Sequence, residues 1–246
     1  MTTTTGLCHA TPDDIVVRGR SLPRELIGKL TFTEMIYFEL TGREATPAQR
    51  AVLDACLVTL MEHGLTPSAI ATRLTYGSAP EAMQGAVAAG LLGVGSTFVG
   101  STEGCAELLA RIAAAPDGRA EALAIARGSK RLPGFGHPLH KPADPRTVAL
   151  LALARAQGLF GAHCTALEQL SATVDQVAGR SIVVNATAAV AALIADAGLP
   201  IAILRGIALI SRCAGLVGHI REEQQSPAMR ALWDGAEAAV PYKEQP

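Results

Sequence analysis

Aromatic residues are scarce in this chain: 4% of 246 residues, with one tryptophan, three tyrosines and five phenylalanines. A core built on rings is therefore excluded, and the 49% hydrophobic content falls mainly to Ala, Leu, Val and Ile. Small aliphatic mixtures of this kind favour helices that approach one another closely. An excess of one charge is also lacking. The formal net charge is −1, without the basic surplus that a nucleic-acid surface needs. The five cysteines (Cys8, Cys56, Cys105, Cys164 and Cys213) are scattered, with no CxxC pair. That pattern points to reduced, mostly buried thiols rather than a disulfide framework. Long apolar runs are missing as well. The longest unbroken one, Ala188–Ala195, is too short to span a bilayer, and Asp196, Pro200, Arg205 and Arg212 interrupt the chain beyond it. The opening Met1-Thr2-Thr3-Thr4-Thr5-Gly6 has neither the basic start nor the apolar run of an export signal. These absences together predict a cytoplasmic protein with no membrane and no nucleic-acid partner.

What is present reads as helix. The first thirty residues look irregular, with a short strand expected at Ile15-Val16-Val17. Thr31-Phe32-Thr33-Glu34 has the form of a capping box, and Gly42 ends the helix it opens. Thr46-Pro47 opens a second helix and Thr66-Pro67 a third, each with proline in the first turn. Further helices are predicted near 80–92, 103–115, 117–128, 145–158, 163–178, 183–197, 200–220 and 226–236. No alternating strand set and no repeat of fixed period is evident, so the predicted class is all-α.

The segment from Gly134 to Arg146 concentrates the chemistry: Gly134-Phe135-Gly136-His137, then Lys141, then Asp144-Pro145-Arg146. Two glycines keep bulk away from a histidine that can exchange a proton near neutral pH. Asp144 and Pro145 start a helix whose free N–H groups and dipole favour an anion beside Arg146. The same residues also suit an ordinary turn before a well-capped helix. His137, His140 and Asp144 are too loosely spaced, with Pro138 and Pro142 stiffening the loop, to predict a metal site, and no metal is expected. The glycine run Gly90–Gly100 lacks the lysine and preceding strand of a phosphate loop. His63, next to Gly64, is by itself an ordinary helix-end histidine. Arg212 lies in an apolar helix and needs a partner, either an anionic ligand or a core carboxylate. His219, seven residues on, shares its face, as ligand contact or as a satisfied core histidine.

Taken together these motifs resemble the citrate synthase superfamily. The likeness is carried by Gly134–Arg146, by Leu26-Ile27-Gly28-Lys29-Leu30 with Thr31–Glu34, and by Glu62-His63-Gly64. It continues in Val184-Asn185-Ala186-Thr187 and in Ser211-Arg212-Cys213-Ala214-Gly215-Leu216-Val217-Gly218-His219. The short length resembles the citryl-CoA lyase-type members, including the lyase module of ATP citrate lyase. The resemblance implies a helical fold with a large domain and a smaller mobile one, expected at 1–104 and 201–246 for the former and 105–200 for the latter. It implies a homodimer or higher homo-oligomer that cleaves citryl-CoA to acetyl-CoA and oxaloacetate, with the CoA thioester as substrate and no cofactor.

By the same resemblance, His137 and His63 are the catalytic histidines, with Asn185 and Thr187 beside the reacting carbon. Arg146, Arg212 and His219 bind substrate carboxylates. Gly134, Gly136 and Lys141 lie near CoA. Two departures stand out. Val99 replaces a histidine that polarises the thioester in the synthases, and Thr187 replaces an acid that moves the methyl proton. Threonine is no base at neutral pH. Synthase activity is therefore disfavoured. The alternatives are an enzyme acting on another 3-hydroxy-acyl-CoA, or an impaired subunit that only binds ligand or partner.

Overall fold

A computed structural model describes residues 3–95, 100–129 and 131–244. Among them the helices are α1 Phe32–Thr41, α2 Pro47–Met61, α3 Pro67–Ser78, α4 Met83–Leu92, α5 Gly100–Ala114 and α6 Gly118–Gly128. They continue as α7 Pro145–Ala156, α8 Ala162–Ala178, α9 Ala186–Asp196, α10 Leu204–Gln225 and α11 Met229–Ala239. The all-α expectation holds, and the boundaries follow local chemistry. Thr31 and Glu34 form the capping box of α1, and Gly42 closes it in the left-handed region at φ +72°. Thr66 caps α3 and Asp144 caps α7, each followed by proline.

The N-terminal stretch holds more than the one expected strand. β1 (Cys8–Ala10), β2 (Ile15–Val17) and β3 (Arg20–Ser21) form an antiparallel sheet in that order. Strands of three and two residues are too short for an alternating pattern to register in sequence.

The chain divides into two compact units. One comprises the residues up to Cys56 together with Cys105–Ile201; the other comprises Leu57–Gly104 and the residues from Ala202 onward. This groups the first 56 residues with the segment expected as the small domain, rather than with residues 57–104.

In the first unit, α8 packs on α6 and on α9, and α9 on α7. Ala186 and every residue from Ala188 to Ile194 are buried, so α9 is a core helix made mostly of alanine. Its few large side chains, Val190, Leu193 and Ile194, each contribute roughly 1.5–3 kcal/mol by leaving water. In the second unit, α3 packs on α4 and α10, and α11 lies on α3. Small residues allow these approaches. A Cβ at Gly90 would strike the Thr72 hydroxyl and Leu216, and one at Gly215 would strike the Met61 carbonyl. The segment Ile201–Gln225 is long and apolar enough to cross a membrane by length and composition alone. In this fold it places His219 and Glu223 in buried polar contacts.

Candidate active site

The Gly134–Arg146 loop is stitched to the start of α9. Gly136 N–H donates to the Val183 carbonyl (2.7 Å), and Asn185 N–H to the Gly134 carbonyl (3.0 Å). Asn185 Nδ2 donates to the Gly136 carbonyl (3.1 Å), and Thr147 Oγ1 to the Val184 carbonyl (2.9 Å). Gly134 and Gly136 adopt φ +86° and +89°, which favours glycine. At Gly134 a Cβ would lie 2.7 Å from the Ala188 Cβ and 2.9 Å from Cys105 Sγ. Its role is thus close packing of the loop onto α9. Gly134→Ala is expected to cost about 1–3 kcal/mol of stability in urea unfolding, from strain and overpacking together.

This stitching fixes His137. Its Nδ1 accepts from the main-chain N–H of Leu139 (3.1 Å) and of His140 (3.0 Å), and its ring stacks on His140. An accepting Nδ1 places the proton of a neutral imidazole on Nε2. That nitrogen lies 3.4 Å from Nη2 of Arg146. With Nε2 protonated, both groups present N–H donors to the same place. A negatively charged or carbonyl oxygen is the natural acceptor for such a pair.

Asp144 holds the arginine in place. The carboxylate is fully buried and receives Nε (3.1 Å) and Nη2 (2.8 Å) of Arg146 in a two-pronged contact. It also accepts the N–H of Arg146 (3.0 Å) and of Ala186 (3.1 Å), so it serves the starts of both α7 and α9. Burial pushes its pKa up, but the Arg146 side chain and these amides outweigh that and hold it at about 2. Asp196 behaves alike. Burial opposes its ionisation, yet hydrogen bonds from His163 and Cys164 keep its pKa at about 2.

A carboxylate whose folded pKa is depressed stabilises the fold above its unfolded value and loses that contribution as pH falls through the folded one. Stability is therefore expected to decline between about pH 4 and pH 2, each of these carboxylates contributing on the order of 2 kcal/mol. Urea unfolding at pH 5 and pH 2.5 reads this directly.

His137, His140 and Asp144 place ligand atoms within 4.8 Å of one another, close enough to hold a metal ion. The Asp144 oxygens, however, already accept four donors, and His137 Nδ1 two. The chemistry of this donor set fits an arginine anchor better than a metal ion.

Beside His137 opens a groove of about 970 Å³ lined by Arg127, Arg131, Lys141 and Arg180, with Ser129 and Ser181 among them. Among the described residues, no aspartate or glutamate lines it. Cations without counter-charges in a concave wall concentrate a polyanion. Gly136 and Lys141, predicted beside CoA, belong to this lining, while Gly134 lies outside it against α9. Sequence reading missed the three arginines. A signal for two of them existed: from Ala122 to Ala143 there is no acid, while Arg127, Lys130, Arg131 and Lys141 occur.

Thr187 and Asn185 form the cap of α9. The Thr187 N–H and hydroxyl both donate to Asn185 Oδ1, at 3.1 and 2.5 Å. Asn185 is therefore engaged at both ends in holding the loop to the helix. Val99 lies outside the described residues, as do residues 96–98. Glu103, four positions on from Val99 in the sequence, is paired with Arg205 at 2.6 Å.

The second unit carries the remaining predicted residues. α2 ends at Met61, and Glu62 and His63 follow it. His63 is exposed, and its N–H donates to Glu62 Oε2 (3.3 Å). Arg212 Nη1 donates to the Met61 carbonyl (3.1 Å) and lies 3.6 Å from Glu62 Oε1. His219 Nε2 is 3.1 Å from Glu62 Oε2. Arg212 and His219 thus do share one helix face, as their spacing predicts, and both meet Glu62.

In this helical fold a histidine and an arginine converge beside a basic groove. The chain matches the family model for the citrate synthase C-terminal domain over residues 14–232, and it belongs to the citrate synthase family. Among solved structures it is similar to citryl-CoA lyase from Hydrogenobacter thermophilus, with 29% identity, a TM-score of 0.90, and coverage of 100% of this chain and 96% of that one. ATP citrate lyase from Methanothrix soehngenii, in complex with citrate and coenzyme A, shares the fold at TM-score 0.81 and 17% identity, over 100% of this chain and 42% of that one. A citrate synthase from Synechocystis sp. is 25% identical over 85% of this chain and 53% of its own length. The chain spans about half the length of the curated relatives it matches.

Proposed function

We propose that this protein is a carbon–carbon lyase that cleaves citryl-CoA to acetyl-CoA and oxaloacetate. The observation that carries the proposal is the acid-free basic groove running to His137, where Nε2 and Arg146 converge. A CoA thioester brings phosphates for the groove and a carboxylated acyl group for the donor pair. The near full-length likeness to citryl-CoA lyase supports the same reading.

In the proposed reaction the C–C bond between the carbinol carbon and the thioester α-carbon breaks. The hydroxyl oxygen becomes the oxaloacetate carbonyl, and the electron pair passes to the thioester enolate. His137, with Nδ1 held by two amides, donates from Nε2 to that oxygen instead of acting as its base. The hydroxyl proton then goes to His63 or to water. Arg146 and Arg212 bind carboxylates. The enolate carbon takes its proton from water, because Thr187 offers only a hydroxyl already donated to Asn185. Cytoplasmic location and a homo-oligomeric state belong to the same proposal.

Thr187 also favours a second reading, a subunit that binds CoA without turnover. Calorimetry with CoA followed by a citryl-CoA cleavage assay separates the two. Binding with release of acetyl-CoA supports the lyase, and binding without release supports the impaired subunit. A panel of other 3-hydroxy-acyl-CoA thioesters tests whether the acyl group differs.

A further inference from the structure

Arg73 on α3 is only 4% exposed. Its Nε donates to Nδ1 of His219 (3.1 Å), its Nη1 to Glu223 (3.0 Å), and its Nη2 to Glu222. An Nδ1 that accepts puts the proton of the neutral His219 ring on Nε2, which then donates to Glu62 Oε2 at 3.1 Å. Both ring nitrogens of His219 are thereby engaged inside the protein, so the histidine positions Glu62 and leaves the carboxylate clamp to Arg212.

The other Glu62 oxygen sits 3.6 Å from Arg212 Nη1. That is an ion pair too long for a hydrogen bond. The Arg212 side chain is 11% exposed and the Glu62 side chain 50%. A mostly buried cation is thus covered by a half-exposed carboxylate that holds it loosely. Gly215 permits the arrangement, because a Cβ there would strike the Met61 carbonyl and come within 2.5 Å of Glu62 Oε1.

We propose that Glu62 is a built-in carboxylate competitor for Arg212, set in place by Arg73 and His219 and displaced by a carboxylate of the substrate. The proposal rests on Arg212 acting as a carboxylate clamp in the reaction above. A guanidinium buried to this extent needs a counter-charge beyond its bond to the Met61 carbonyl. Glu62 supplies it here, and its loose contact with the cation keeps the exchange inexpensive.

Glu62→Gln tests this. Glutamine keeps an oxygen for His219 Nε2–H and removes only the charge. Titration calorimetry with oxaloacetate is expected to give a dissociation constant about two- to fivefold lower than for the unaltered protein, the range set by weak, solvent-exposed ion pairs. Affinity for CoA stays the same. Glu62→Ala, which removes charge and acceptor together, moves oxaloacetate affinity in the same direction. Unchanged or weaker oxaloacetate binding in both variants overturns the proposal, as does a lack of binding in all three proteins. Citryl-CoA cleavage by the unaltered protein is read separately, so failure of the lyase reading leaves the affinity ratio measurable.

Discussion

Replacing Arg73 by methionine is expected to lower the unfolding free energy by about 3–5 kcal/mol, the cost of breaking a buried pair from one side. Methionine restores much of the volume and none of the charge. Glu223, 4% exposed, would keep only the N–H groups of Ala228 (2.7 Å) and Met229 (2.8 Å) at the start of α11. His219 would lose the donor at Nδ1, and the ring's tautomer would no longer be fixed. Glu222 is the internal comparison. It meets the same arginine, but its side chain is 64% exposed. Glu222→Gln is therefore expected to change stability by less than about 1 kcal/mol. Urea unfolding of the three proteins checks the order, and an Arg73→Met protein within about 1 kcal/mol of the parent, by the same scale, would show that the network is not a buried one.

Replacing His137 by alanine is expected to reduce citryl-CoA cleavage by about 10²–10³-fold in kcat, the effect of removing one preorganised donor to a developing charge. The loss should fall on kcat more than on CoA affinity. The phosphates would be held by Arg127, Arg131, Arg180 and Lys141, none of which the substitution touches. Folding should be little affected, since His137 is only partly buried and the groups that donate to its Nδ1 are loop amides. An equal fall in CoA affinity and kcat would instead mean that the loop itself had lost its shape.

The parts of this fold that were legible in the sequence are those governed by neighbours in the chain. Thr31 with Glu34, Thr66 with Pro67, and Asp144 with Pro145 announce helix starts because capping is a local hydrogen bond. Gly42 announces an end for the same reason. The three-stranded sheet was nearly invisible because its strands are shorter than one period of alternation can reveal.

Within the site, His137, Arg146 and Lys141 stood out because they share one loop. Asp144 was legible as the cap of α7 but not as an acceptor for Ala186, which comes from another helix. Arg180 in the groove and Arg73 beneath His219 carry no local signal. Arg73 lies in an unremarkable amphipathic stretch, and its partners are about 150 residues away in sequence, at positions 219, 222 and 223. Partners that far apart become legible only when the fold brings α3 and α10 together. Asn185 and Thr187, expected beside the reacting carbon, are bonded to each other, and Asn185 also to the loop carbonyl of Gly136.

The central claim is that His137 serves C–C cleavage of a CoA thioester bound along the basic groove. Its most direct test is a single-turnover experiment with citryl-CoA, following acetyl-CoA and oxaloacetate together for the unaltered protein and for His137→Ala. Equal amounts of the two products from the unaltered protein, with the rate reduced about 10²–10³-fold in the variant, are the predicted result. No products from the unaltered protein, or the same rate from both, would contradict it.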